Sequence, residues 1–352
     1  MARVVLVTGV SRDLGSRFAR RLAGDPGVDR VLAVDVVPPR HDLGDAEFVR
    51  VDLRSPVVSR VLARESIDTV VHLNVIATPQ HAGGRATMKE INVIGTMQLL
   101  AACQRLPSVS KVVVKSSTAV YGASPADPAM FTEDMEPRAL PQSGFAKDAV
   151  EVESYVRGFA RRRPDVAVTT LRFANVIGQR VRTPMTRYFT LPVVPTVLGF
   201  DARLQFVHED DLLEALRLAT VSQVPGTFNV AGDGMLMLSQ AIRRMGRPTA
   251  PVPAFAVATF GQMFRAARLA DFTPEQLSYL TYGRGVDTTR MRDDLGFKPS
   301  HTTAEAFESF AAVHEQGLLS SDRVAAAEEE AAAFLGIRDV RDEAEGVRQG
   351  HG

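Results

Sequence analysis

Six short runs of aliphatic and β-branched residues recur through the first half of the chain, and their spacing leaves few folds open. They are Val4–Thr8 (VVLVT), Val31–Asp35 (VLAVD), Glu47–Asp52 (EFVRVD), Thr69–Leu73 (TVVHL), Lys111–Ser116 (KVVVKS) and Ala167–Phe173 (AVTTLRF). Most lack the apolar–polar alternation of a sheet with one wet face, so they read as strands buried on both sides. Between them lie segments with apolar residues at helical spacing, at Leu14–Ala23, Val57–Arg64, Thr87–Cys103 and Lys147–Arg161. Strands alternating with helices at this pace predict an α/β fold, a doubly wound parallel sheet with right-handed crossovers and helices on both faces.

The rhythm changes after about residue 178, where Pro184, Pro192 and Pro195 mark a loop-rich stretch. Residues 1–180 are therefore expected to form the large domain and 181–320 a smaller one capping it. Segments near 204–232, with strands at Leu204–Val207 and Thr227–Val230, are expected to return to the large domain. Residues 321–352, rich in Ala, Glu, Arg and Gly, read as a surface helix fraying into disorder. Lys+Arg and Asp+Glu are both 41. That balance gives no basic field for nucleic acid. One cysteine, Cys103, forms no intrachain disulfide or zinc cluster and suits a reducing cytoplasm. No run of about 20 apolar residues spans a membrane.

Residues 8–15, TGVSRDLG, sit between the first strand and the first helix, the context of a phosphate-binding turn in a Rossmann-like fold. Gly9 permits the tight turn and Gly15 close helix–strand packing. The helix start then offers free N–H groups and a positive dipole to a pyrophosphate. Gly9, Ser11, Arg12, Asp13, Leu14 and Gly15 are the candidate contacts. A glycine usually occupies the middle position, and here it is Arg12. Its side chain must swing aside or lie along the pyrophosphate as a cation; the alternative is a loop that kept the fold and lost the ligand. Asp35, ending the second strand, suits ribose hydroxyls and repels a 2′-phosphate, which favours NAD over NADP. Asp52 and Leu53 follow the third strand, at the adenine edge, although Asp52 also fits a cap before Ser55-Pro56.

These segments together resemble the extended short-chain dehydrogenase/reductases, specifically the NAD-dependent epimerase/dehydratase family and its UDP-glucose 4-epimerase-like members of actinobacterial type. The likeness runs from about residue 3 to 315 and rests on TGVSRDLG, VDL (51–53), VVHLNV (70–75), INVIGT (91–96), KSSTAVYG (115–122), LRFANVIG (171–178), QFVHEDD (205–211), GTFNVAGDG (226–234) and DTTRMRDDLGFKP (287–299). It implies an enzyme that transfers hydride to NAD from a nucleotide sugar, acting as an oxidoreductase or isomerase, away from membranes and as a homodimer built on helices 87–103 and 147–161.

In that family a Tyr and a Lys four apart on one helix face the nicotinamide, and a Ser after the fifth strand orients the substrate hydroxyl. By resemblance Ser117 is that serine and Lys147 that lysine, although Lys147 also reads as a surface helix residue. The tyrosine position holds Ser143, a poor base near neutral pH. Tyr121 is the nearest phenol in sequence, as a substitute base or as wall packing. Lys115, Leu73, Asn74 and Val75 are expected along the cofactor, with Phe173 flanking the nicotinamide. Asn92 is expected to buttress the active-site backbone, or else to bond within its helix. Asn175, Arg203 and Arg284 are candidate substrate contacts, the arginines for the diphosphate or simply solvated. Arg172 also fits a buried structural pair, and His208 a structural role. No H-E-x-x-H spacing occurs, so no metal is expected. The rival to an enzyme is an NAD- or nucleotide-binding scaffold or regulatory protein without turnover.

Overall fold

The crossing point of the chain is β1 (Val4–Thr8), in the middle of a seven-stranded sheet. On one side lie β2 (Arg30–Asp35) and β3 (Glu47–Arg50). On the other lie β4 (Thr69–His72), β5 (Lys111–Ser117), β6 (Ala167–Phe173) and an outer strand, Gly226–Val230. Every pairing in this sheet is parallel, with Val5 opposite both Val31 and Thr69. The computed structural model describes residues 3–77, 83–138, 140–142, 144–253 and 273–314. Ser143 and the 321–352 tail lie outside the described residues.

The helices follow from their apolar faces. α1 (Asp13–Ala23) buries Phe18, Ala19 and Leu22 and leaves Arg20 and Arg21 in its last turn, where they suit the helix dipole. α2 (Val57–Arg64) buries Val58 and Leu62. The expected single helix over 87–103 is three pieces: α3 (Arg85–Lys89), a π-helical turn (Glu90–Ile94) and α4 (Gly95–Gln104). Asn92 lies in that turn, and its side-chain amide bonds outside the helix. α5 (Gly144–Arg162) begins three residues before the expected Lys147. α6 (Pro184–Phe189) starts at a Thr183 capping box, and α7 (Glu209–Val221) has three acids in its first turn.

Two apolar layers cover the sheet. Val5, Val7, Val71, Val113 and Leu171 pack with α1 and α7. Leu6, Val70, Val112, Val114 and Val168 pack with α2, α4 and α5. A third cluster, with Phe189, Phe206, Phe307 and Phe310, builds the smaller lobe. The expected strand Leu204–Val207 divides at Gln205. Arg203–Leu204 pairs antiparallel with Leu236–Met237, and Phe206–His208 pairs parallel with Asn175–Ile177. The order of strands reverses beside β1, so a crevice opens at the carboxyl ends of β1 and β4, where open α/β sheets take ligands.

Candidate cofactor and substrate crevice

The turn after β1 is packed too tightly for side chains at its two glycines. Gly9 has φ +81°, and a Cβ there would stand 2.9 Å from the Asn74 nitrogen. At Gly15 a Cβ would collide with the Gly9 carbonyl. The turn is held to β2 by Asp35, whose carboxylate accepts the Ser11 N–H at 2.9 Å and the Val36 N–H at 2.7 Å. Arg12 is the N-cap of α1, in extended conformation and without a side-chain cap bond. Burial lowers the pKa of its guanidinium, an effect opposed by the nearby Asp35 charge. Asp13 lies at the first helical position and pairs with Arg17 at 3.4 Å and His41 at 3.5 Å. Leu14, in the first turn of α1, packs partly buried against the core.

A chain of buried polar groups runs beneath the crevice. His72 Nδ1 meets Thr8 Oγ1 at 2.9 Å, and Nε2 meets Thr96 Oγ1 at 2.8 Å. Thr96 donates to the Asn92 carbonyl at 2.5 Å. With that direction fixed, Nε2 is the donor and Nδ1 accepts from Thr8. Burial, with the Lys115 charge adding to it, pushes the His72 pKa down to about 4, so the ring is neutral near pH 7. His72 was not singled out in the sequence, where it reads as one residue of a buried strand.

Asn92 bonds outside its own helix. Its Oδ1 accepts the Ile76 N–H at 2.7 Å, and its Nδ2 donates to the Ile76 carbonyl at 2.9 Å and to Asp148 at 3.1 Å. Leu73, Asn74 and Val75, the segment pinned in this way, are buried. Asp148 is fully buried and takes two 2.6 Å bonds from Arg85, which also donates to the Gly144 carbonyl. Lys147, the residue before Asp148, is partly exposed on the first turn of α5. Ser117 Oγ accepts the Ala119 N–H at 3.2 Å, and so keeps its own proton to donate. α5 packs on the 3₁₀ turn Thr118–Tyr121 that follows Ser117.

Tyr121 is not available as the substitute base. Only 1% of it is exposed, and its ring stacks on Phe131 at 4.6 Å. Its hydroxyl donates to Asn229 Oδ1 at 2.8 Å and accepts from Arg172 at 2.7 Å. Burial raises its pKa, against the pull of Arg172. Arg172 in turn forms a buried fork with Glu153, whose Oε1 also accepts from Ser116 Oγ at 2.6 Å. Phe173, 1% exposed, packs into the α1/α7 layer rather than flanking an open crevice.

After β3, Asp52 is bound by the Arg54 side chain and accepts the Arg54 N–H at 2.9 Å, closing a local turn. It lines an open cleft of about 500 Å³ with Arg54, Ser55, Glu90 and Ile94. Leu53 is buried behind it. Beyond β6, Asn175 bonds Tyr279, and the Arg284 guanidinium lies over the Tyr279 ring at 5.0 Å while donating to the Gly122 carbonyl. Arg284 Nε is buried without a partner among the described residues. Arg203 sits opposite Gly283 in a parallel bridge, one residue from Arg284.

Among the described residues, His208, Asp211 and His301 bring possible metal donors within 4.8 Å of one another. Their bonds argue for structure. The two rings stack at 3.9 Å and 20°, so their in-plane lone pairs do not converge. Asp211 already accepts from Ser300 N and Oγ and from His301 N. No helix among the described residues is long and apolar enough to cross a membrane.

Residues 5–231 match the profile of the NAD dependent epimerase/dehydratase family. An uncharacterized protein of Mycobacterium tuberculosis is 50% identical over 312 residues, covering 88% of this chain and 83% of its own. The UDP-glucose 4-epimerase of Mycolicibacterium smegmatis is 27% identical over 325 residues, covering 85% of this chain and 95% of its own. Among solved structures, MoeE5 in complex with UDP-glucuronic acid and NAD has a TM-score of 0.68 at 23% identity, covering 89% of this chain and 98% of that one. The UDP-glucose 4-epimerase of Thermotoga maritima has a TM-score of 0.67 at 20% identity, covering 88% and 98%. At these identities the structural likeness speaks to the fold.

Proposed function

The chain belongs to the NAD-dependent epimerase/dehydratase family, and on that premise we propose that it binds NAD in the β1–β4 crevice and acts on a nucleotide sugar. The observation that carries this reading is the joint placement of Ser117 and Lys147. One ends β5, the other lies in the first turn of α5, and Asn92 ties the segment after β4 to Asp148, the neighbour of Lys147.

The residues fit such a cofactor. Gly9 and Gly15 form a cradle that side chains would fill, and Asp35 stands where the adenosine ribose would lie. NAD and UDP-glucuronic acid are the ligands of MoeE5, the fold neighbour described above. Bound NAD supplies the hydride acceptor. Lys147 would hold its nicotinamide ribose, and Ser117 would donate to the sugar hydroxyl. Asn175, Arg203 and Arg284 would receive the sugar nucleotide. The α4 and α5 helices would pair with a second copy as a homodimer in the cytoplasm.

Position 143 is serine, and Tyr121 is engaged elsewhere. Losing a positioned acid–base group slows chemistry by roughly 10²–10⁴-fold. Slow hydride transfer is therefore expected from UDP-glucose or UDP-galactose, read as near-ultraviolet absorbance of reduced nicotinamide, with Ser143→Tyr faster by about that factor. The same serine favours a second reading, a binding protein without turnover. NAD bound with no reduction in either form would establish that second reading and end the first.

A further inference from the structure

β5 carries two lysines, one buried and one half-buried, and they are treated differently. Lys111, at its start, is fully buried, and its ammonium is satisfied by Thr169 Oγ1 at 2.7 Å and the Val224 carbonyl at 3.3 Å. Lys115, near its end, has neither hydrogen bond nor ion pair among the described residues. Strand alternation fixes its direction. Val113 packs in the α1/α7 layer, whereas Ser116 turns the other way to Glu153 on α5. Lys115 and Ser117 therefore share the face toward α1.

The charge that acts on Lys115 most is another cation, Arg12, at the start of the α1 helix that this face of β5 looks toward. Burial and the Arg12 guanidinium together push its pKa down to about 8. His72, the other ionisable neighbour, is neutral near pH 7. Arg12 feels Asp35, but that carboxylate accepts the amides of Ser11 and Val36 and makes no ion pair with it. Two half-buried cations thus act on one another beside the start of α1, neither of them in an ion pair among the described residues. Buried charges without partners are costly, and such a pair is best explained by an anion that arrives from outside.

We propose that Lys115 and Arg12 form a two-cation clamp for the diphosphate of the dinucleotide, replacing by side-chain charge the close backbone approach that a central glycine permits. This rests on the cofactor reading given above and specifies how the altered turn serves it. Arg12 is then a ligand rather than an obstruction. The diphosphate supplies the counter-charge that both cations lack.

The test is calorimetric titration of the full chain with NAD and, separately, with ADP, after thermal melts establish that each variant is folded. Lys115→Met and Arg12→Gly should each weaken both ligands by about 10- to 100-fold, the size of a charge-assisted bond. Lys115→Arg, which keeps the charge, should retain most of the affinity. Tighter NAD binding in Arg12→Gly would show that Arg12 blocks the turn and would overturn the clamp. So would unchanged affinity in Lys115→Met, or an equal loss in Lys115→Arg, which would mean packing rather than charge. If ADP binds in a Lys115-dependent way and NAD does not bind, the clamp stands and the NAD reading falls. If the natural chain binds neither, both fall.

Discussion

Two clusters of charged groups sit near the carboxyl ends of the same strands, and they are built on opposite principles. Around Arg172, donors and acceptors match: Glu153 takes the guanidinium fork, Tyr121 and the Glu133 carbonyl take the rest, and Ser116 completes the carboxylate. Around Lys115 and Arg12, positive charge gathers without an ion pair among the described residues, and the one carboxylate that acts on Arg12, Asp35, is spent on backbone amides. A saturated polar network specifies how a core packs, whereas unsatisfied charge is held in reserve for something the chain does not contain. The phenol nearest the crevice in sequence belongs to the first kind, which is why it is unfit as a base.

Breaking the saturated cluster should have the largest effect. Glu153→Ala strands Arg172 as a buried cation and should cost about 3–5 kcal/mol in urea unfolding at pH 7. A loss below about 1 kcal/mol would mean that the network is less closed than its geometry states.

Acid probes the boundary between the clusters. The His72 pKa falls from 6.5 unfolded to about 4 folded. Between those values the folded chain binds fewer protons, so stability rises with pH and is lost as pH falls. The full difference is about 3 kcal/mol near pH 4. Unfolding curves for the natural chain and for His72→Gln, compared between pH 7 and 4.5, should diverge by most of that slope.

The smallest effect has the opposite sign. Lys115 titrates near 8 folded and 10.5 unfolded, so its charge penalises the folded state most below pH 8 and the penalty fades as pH rises toward 10.5. Lys115→Met should therefore stabilise the ligand-free chain by about 1–2 kcal/mol at pH 7, after allowing for solvent screening at a partly exposed group. A destabilised variant would place Lys115 with the saturated cluster instead.

The sheet was legible because buried parallel strands announce themselves: VVLVT and AVTTLRF become Val4–Thr8 and Ala167–Phe173 with their expected bounds. The turn glycines and Asn92 were also legible, since backbone packing and a family position point to them. What escaped the sequence depends on long-range meeting. The partners of Tyr121 lie 51 and 108 residues away, and Phe173 looks the same whether it flanks a crevice or fills a core. His72 is silent in a strand, because nothing local shows that Thr8 and Thr96 will close on it. The π-helical turn was hidden because apolar spacing through 87–103 fits an uninterrupted helix nearly as well. The different fates of Lys111 and Lys115 emerge only once the strand's two ends face different surroundings.

One bonded path also sets the mechanics of the crevice. The Ile76 backbone grips Asn92, Asn92 grips Asp148, and Asp148 grips Arg85, which reaches the Gly144 carbonyl. The segment after β4 and the first turn of the lysine-bearing helix are thereby geared together. A shift in either would be transmitted to the other, so a ligand that settles on that segment also sets the reach of Lys147.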